Sequence, residues 1–157
     1  MIELTYGNLL EANAEALVNT VNCVGVMGKG IALQFKQAFP DNYTYYAKSC
    51  KTGQMQPGRV LVYKNGSMFR PKYIINFPTK RHWKGKSKMT DIDAGLMDLI
   101  AQIRLLGIRS IAIPPLGAGL GGLNWLEVKT RIESAFADLP DVQVLLFEPK
   151  GSPLAEK

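Results

Sequence analysis

Ser110-Ile111-Ala112-Ile113-Pro114-Pro115-Leu116-Gly117-Ala118-Gly119-Leu120-Gly121-Gly122 decides the fold. Its first four residues form a short apolar run of the kind buried in a sheet covered on both faces. Two prolines end that strand, and four glycines follow between Gly117 and Gly122. Asn124 then caps a helix predicted from Trp125 to Leu139 and closed by Pro140. A strand that passes through a glycine-rich turn into a helix can bind an anion. Glycine lets main-chain N–H groups point outward together, and the helix N-terminus adds a favourable field.

The same junction occurs earlier in the chain. Ala16-Leu17-Val18 reads as a buried strand, and Asn22-Cys23-Val24-Gly25-Val26-Met27-Gly28-Lys29-Gly30 runs from it into a second helix. Neither loop carries the Lys-Ser/Thr ending of a nucleotide-triphosphate loop. Neither fits the dinucleotide G-x-G-x-x-G pattern with its later acidic residue. Taken singly, each loop is equally well a tight turn. Taken together, they predict a ligand with two phosphates lying along the carboxyl ends of the strands.

Outward from these loops, apolar runs alternate with helical periodicity. Ile2 to Tyr6 reads as an edge strand, and Val60–Tyr63, Tyr73–Phe77 and Val142–Phe147 as further strands. A helix from Gly30 to Phe39 stops at Pro40, and Asp41 offers a cap for another that ends before Gly53. Asp91 or Asp93 starts a longer helix in which Leu96, Leu99, Ile100, Ile103 and Leu106 recur at the helical period, with Gly107 just past its end. The order predicts a three-layer α/β/α domain over residues 1–150 with a mixed, largely parallel sheet. Residues 151–157 read as a flexible tail or a truncation point. There is no internal repeat and no second domain.

At 157 residues, 46% apolar and 20% charged, the chain suits one globular domain with a substantial core. Cys23 and Cys50 are too few for a disulfide framework and read as cytosolic thiols, which with one histidine leaves no dedicated metal cluster. No cofactor or metal is expected. No apolar run is long enough to span a bilayer, and no basic-then-apolar leader opens the chain, so a cytoplasmic location and no membrane partner are expected. Charge is unevenly spread. From Asn42 to Thr90 there are eleven Lys or Arg and no Asp or Glu, against a formal net charge of +6 for the whole chain. Such a block concentrates a polyanionic partner and releases its counterions, whereas a solvated lysine surface is the plainer alternative.

Asn19-Thr20-Val21-Asn22, Gly28-Lys29-Gly30-Ile31-Ala32 and Pro115-Leu116-Gly117-Ala118-Gly119-Leu120-Gly121 together resemble a macro domain. The resemblance covers essentially the whole chain and implies ADP-ribose binding. The Gly-Lys-Gly-Ile-Ala loop, the Thr79-Lys80 pair and Leu123-Asn124-Trp125 are most similar to the branch holding DarG-type antitoxins and the terminal ADP-ribose glycohydrolase. That branch implies a DNA ADP-ribosyl glycohydrolase that removes ADP-ribose from thymidine bases, reversing a cognate DarT-like toxin. Hydrolysis of ADP-ribose esters on acidic protein residues is an alternative within the same class. A module that binds ADP-ribose without chemistry is an alternative from another.

The resemblance also implies roles. Lys80 is the catalytic candidate, acting at the anomeric carbon of the distal ribose either as a nucleophile or by stabilising charge on the departing base. The nucleophilic route needs the neutral amine, which neighbouring Arg81 or Lys84 would favour. Asn22 is expected on the distal ribose as a second catalytic-site residue, and Asn19 on backbone groups around the loop. Asn8, with Leu9 beside it, falls where the family commonly has an aspartate reading adenine, and Phe147 is an adenine neighbour or a core residue. Gly28, Gly30, Gly117, Ala118, Gly119 and Gly121 form the expected diphosphate cradle, with Lys29, Ile31, Thr79 and Pro115 around it. Met27 and Leu120 either close over the ligand or anchor their loops. The relative that pairs its lysine with an aspartate has that acid at the position of Gly121, a departure that argues against a full lysine–aspartate mechanism here.

Lys80, Arg81, His82, Trp83, Lys84, Lys86 and Lys88 interleave cations with aromatic rings, a pattern suited to single-stranded DNA. Trp83 is equally a core cap. A modified base left unpaired is cheaper to reach, and a monomer suffices for all of this.

Overall fold

The computed structural model describes residues 1–149; the tail expected at 151–157, with Lys150, lies outside the described residues. The apolar runs form a six-stranded sheet of β1 (Ile2–Thr5), β2 (Ala16–Val21), β3 (Leu61–Lys64), β4 (Tyr73–Pro78), β5 (Ser110–Ile113) and β6 (Gln143–Phe147). Their spatial order is β1-β6-β5-β2-β4-β3. Every neighbouring pair is parallel except β3 with β4, which is antiparallel. The helices are α1 (Gly30–Ala38), α2 (Pro40–Lys51), α3 (Met89–Leu106) and α4 (Trp125–Phe136).

Side chains alternate across each strand, so each face has its own core. Leu17, Ile74 and Ala112 pack with Phe35 of α1 on one side. Val18, Ile75, Phe77, Ile111 and Ile113 pack on the other with Ile92, Leu96 and Leu99 of α3 and Val128 and Ile132 of α4. This is the predicted three-layer α/β/α arrangement with a mixed, mostly parallel sheet. Burying one such side chain stabilises by roughly 1.5–3 kcal/mol. Gly95 brings α3 directly onto β4, because a β-carbon there would overlap the Phe77 ring. That close contact fixes α3 beside the strand that leads to Lys80.

Several expected boundaries shift, each for a physical reason. Asp41 is not a cap: Pro40 takes the first position of α2, Phe39 precedes it, and Asp41 lies in the first turn, where its charge suits the helix dipole. Neither Asp91 nor Asp93 starts α3, which begins at Met89 after Lys88 without a side-chain cap. Their carboxylates instead pair with Arg81 and Arg131. Val60 stands outside β3 because its N–H donates to the Asp98 carboxylate at 2.8 Å. Asn124 does cap α4, its side-chain oxygen accepting from Glu127 N–H, but α4 ends at Phe136 rather than Leu139. Gly107 closes α3 in the left-handed region at φ 67°, as its position predicts.

Because β1, β2, β4, β5 and β6 run the same way, the segments that follow β2, β4 and β5 emerge at one end of the sheet. The two glycine loops and the Lys80 segment therefore share a rim.

Candidate active site

The first glycine loop is built around Asn22. Its side-chain oxygen accepts from Val24 N–H at 3.1 Å and Val26 N–H at 3.3 Å, while its amide donates to the Val26 carbonyl at 2.7 Å. The Tyr46 hydroxyl, fully buried on α2, lies 2.8 Å from both the Asn22 carbonyl and its side-chain oxygen. Burial pushes the Tyr46 hydroxyl's pKa far up, so it stays a donor. Asn22 is thus spent largely on shaping the loop, with one amide hydrogen to spare. Met27 is buried against Val21, Tyr46 and Met55, which makes it a loop anchor. The loop delivers the chain to α1 at Lys29, which is exposed and makes no capping bond. The first-turn N–H groups of α1, from Gly30 and Ile31 onward, have no intrahelical acceptor and are free for an anion.

The second loop is closed by three main-chain bonds: Ala118 N–H to Pro115, Gly122 N–H to Gly119 and Leu123 N–H to Gly117, at 3.0, 3.2 and 2.9 Å. These leave the N–H groups of Gly119, Leu120 and Gly121 without an acceptor among the described residues. Gly117 has φ +71°, and a β-carbon there would stand 2.8 Å from Leu123 Cδ1 and 3.1 Å from Ser87 Cβ. Exposed Leu120 reaches across to the first loop, its Cδ1 lying 3.9 Å from where a Gly30 β-carbon would be. The two loops therefore face one another, as the sequence suggests.

Lys80 follows β4 on the same rim, and the segment it opens runs from the first loop to the second. Thr79 and Lys80 both donate their N–H to the Val21 carbonyl, at 2.9 and 3.4 Å, and the Arg81 carbonyl accepts from Cys23 N–H at 3.2 Å. The start of the lysine segment is thereby stitched to the first loop, with Lys80 half-buried and Thr79 buried. The segment's far end is stitched to the second: Ser87 N–H donates to the Gly121 carbonyl at 3.1 Å. The Ser87 hydroxyl is buried without a partner and fills the space a side chain on Gly121 would need.

Other expected contacts fall elsewhere. Asn19 does not serve loop backbone. It is fully buried, donates to Asn76 Oδ1 at 3.4 Å, and leaves its own oxygen unpartnered. Asn76 in turn exchanges two bonds with Asn42 of α2. Leu9 and Phe147 are buried together in the α1-side core, so little of either side chain is on the surface. Asn8 is exposed, but its side-chain oxygen already accepts from Leu10 N–H at 3.1 Å. Arg81 is not a free cation: Nε and one terminal nitrogen each lie 3.2 Å from the Asp91 carboxylate. Lys84 Nζ lies over the Trp83 ring at 5.0 Å, and Trp83 stacks on His82 at 5.5 Å. Trp83 is 46% exposed and so does not cap the core. Lys84, Lys86 and Lys88 are exposed.

Tyr46, Ser87, Asn76 and Asp91 are site-shaping residues that periodicity and motif spacing do not flag, since each acts through a contact distant in sequence. Burial first, and Cys50 second, push the Cys23 thiol up to about 11, so neither cysteine resembles an activated nucleophile. No group of three or more His, Cys, Asp or Glu among the described residues could hold a metal ion. A cavity of about 490 Å³ opens at the opposite end of the sheet between Glu15, Arg70, Arg109 and Gln143. It lies at the amino ends of the strands, away from both glycine-rich loops.

Comparison with known proteins places the chain. The model of the Macro domain family matches residues 18–132. The chain is 57% identical to the "DNA ADP-ribosyl glycohydrolase" of Thermus aquaticus over 99% of its own length and 43% of that protein. The solved "Macrodomain of Mycobacterium tuberculosis DarG" superposes with a TM-score of 0.94 at 56% identity, covering 96% of this chain and 99% of that one. "Thermosipho africanus DarTG in complex with ADP-ribose" superposes at 0.87 with 33% identity, over 96% of this chain and 42% of that one. The chain thus spans less than half the length of the Thermus aquaticus protein and of the two mycobacterial proteins of the same name that it matches. No helix among the described residues is long and apolar enough to cross a membrane.

Proposed function

The chain belongs to the macro domain family, closely related to its DarG branch, and on that footing we propose that it removes ADP-ribose from thymidine bases of DNA. The reaction is hydrolysis of the N-glycosidic bond, which reverses the modification made by a cognate DarT-like toxin. The observation that carries the proposal is the position of Lys80. It is half-buried, and its segment is tied at one end to each of two loops with free main-chain N–H groups.

In this reading the diphosphate lies against the N–H groups of Gly119, Leu120 and Gly121 and the open first turn of α1. Binding there brings the distal ribose to Lys80 and to the spare amide hydrogen of Asn22. The bond from the anomeric carbon to the thymine nitrogen breaks and its electron pair leaves with the base; water oxygen bonds to the anomeric carbon and gives up one proton to solvent, and the departed base anion takes one up. Lys80 acts as a cation that stabilises negative charge developing on the base. The structural support for this route over nucleophilic attack is that neighbouring Arg81, whose charge would favour a neutral amine, is offset by Asp91. A base leaving as an anion needs no strong acid, which suits a loop that has Gly121 where a carboxylate would otherwise stand.

Trp83, Lys84, Lys86 and Lys88 present an exposed ring and three exposed cations next to Lys80, a surface fitted to a single DNA strand. A cytoplasmic monomer acting on such a strand is the simplest form of the proposal.

The test is substrate choice. The protein is incubated with single-stranded DNA carrying ADP-ribosylated thymidine and, separately, with an ADP-ribosylated glutamate peptide, and released ADP-ribose is followed. Release from DNA and not from peptide supports the proposal. Binding of ADP-ribose with release from neither substrate would make the chain a binding module.

A further inference from the structure

We propose that Asp91 is a positioning residue for the hydrolysis, acting on Lys80 through Arg81. The inference rests on the reading of Lys80 above and goes beyond it to name what holds that lysine in place.

Arg81 lies inside a run of exposed cations, yet it differs from its neighbours in having a carboxylate partner. Its Nε donates to Asp91 Oδ2 and its Nη2 to Asp91 Oδ1, both at 3.2 Å, a two-pronged pairing in a fixed plane. The two partners are unequal. The Arg81 side chain is 60% exposed, whereas that of Asp91 is 12% exposed. Asp91 belongs to the first turn of α3, where the helix dipole favours its charge, and α3 is seated on β4 through the contact of Gly95 with Phe77. The carboxylate is therefore a fixed post, and the guanidinium is the part brought to it.

Holding Arg81 also holds its neighbour. On one side of Lys80 the Thr79 N–H, like that of Lys80 itself, donates to Val21; on the other the Arg81 carbonyl accepts from Cys23. The Lys80 backbone is thus bracketed by contacts with Val21 at the end of β2 and with Cys23 in the first glycine loop, and the Arg81–Asp91 fork joins that bracket to α3. Loop, lysine and helix form one connected unit. An arginine wanted only for DNA phosphates would gain nothing from a buried carboxylate partner that cancels its charge. A displaced reacting group of about 1 Å costs on the order of 100-fold in rate, which is the scale on which such a brace acts.

The test is a mutant cycle of Asp91→Asn, Arg81→Ala and the double variant, with Arg81→Lys as the conservative replacement. ADP-ribose release from modified single-stranded DNA is measured alongside Kd for free ADP-ribose. The expected result is a kcat about 10- to 100-fold lower in each single variant, with KM and Kd within about threefold of wild type. The double variant should be no worse than either single, because both break one link. Arg81→Lys should recover little, since an ammonium cannot make both bonds. A merely structural ion pair would lower the melting temperature and leave kcat alone, and that outcome overturns the inference. A raised KM with unchanged kcat and a weakened salt dependence also overturns it, by making Arg81 a DNA contact. Should Asp91→Asn fail to fold, exposed Arg81→Ala carries the test alone. Lys80→Ala, run in parallel, separates the two claims. If it is inactive while Asp91→Asn is fully active, the brace fails alone; if it is fully active, the reading of Lys80 fails with it.

Discussion

Ser87 donates its main-chain N–H to the Gly121 carbonyl at 3.1 Å, and its side chain fills the space that a β-carbon on Gly121 would need. The segment bearing Lys80 is thereby clasped to the second glycine loop, and position 121 is closed to every side chain. The missing carboxylate at Gly121 is a consequence of how these two segments pack.

Gly121→Asp should therefore not create a lysine–aspartate pair. It should displace the loop, weaken ADP-ribose binding at least tenfold and lower the melting temperature. Isothermal titration and thermal unfolding check this. Ser87→Gly removes only one obstacle, since the Gly117 carbonyl oxygen would still stand 2.5 Å from the new β-carbon, so combining it with Gly121→Ala should recover little of the affinity that Gly121→Ala loses alone. A Gly121→Ala variant with wild-type affinity would contradict the packing account.

Tyr46 supports the first loop from beneath through one buried hydroxyl, 2.8 Å from two oxygens of Asn22. Tyr46→Phe keeps the ring and removes that donor, leaving Asn22 short of a bond worth about 1 kcal/mol. ADP-ribose affinity should fall by roughly fivefold, while Tyr46→Phe and Asn22→Ala together should not add. Calorimetric titration of the two single variants and the double variant measures both.

Asn42 and Asn76 exchange side-chain bonds of 3.1 and 2.8 Å in the fully buried seam between α2 and β4. Asn42→Ala takes from the Asn76 amide one of its two acceptors, leaving the Leu61 carbonyl at 3.2 Å, and should destabilise the fold by about 1–3 kcal/mol. Chemical denaturation reads this as a lower midpoint at unchanged slope. Replacing both residues with leucine should cost more than the single change, because buried Asn19 then loses its Asn76 acceptor as well.

The Cys23 thiol, pushed up to about 11 chiefly by burial, binds its proton more tightly folded than unfolded. Its contribution to stability is complete below the unfolded thiol's value near 8.5–9 and is lost as pH rises from there through about 11. Native protein at pH 8 should be alkylated by iodoacetamide much more slowly than urea-unfolded protein. The denaturation midpoint should fall between pH 9 and 11, and Cys23→Ala should flatten part of that fall.

Much of this molecule is legible in its sequence, because strands, glycine turns and caps are local. The apolar runs mark the strands, Gly107 and Asn124 mark helix ends, and the two glycine loops mark the rim. What local reading misses depends on tertiary partners. Asp91 looks like a helix cap until Arg81 arrives to pair with it, and Arg81 looks like a free cation for the same reason. Asn22 looks like a ligand contact, but its own loop and Tyr46 claim most of its polar groups, and Asn19, expected on loop backbone, donates to Asn76 instead. Ser87 gives no signal at all until it meets Gly121.

The most direct measurement is ADP-ribose release from an ADP-ribosylated single-stranded oligonucleotide by wild type and by Lys80→Ala, with the affinity of each for free ADP-ribose determined alongside. Release at least about 100-fold slower in the variant, with affinity held within about threefold, is the predicted result, since a lost electrostatic contact at the reacting atoms costs rate far more than binding. A Lys80→Ala protein that releases ADP-ribose at the wild-type rate contradicts it.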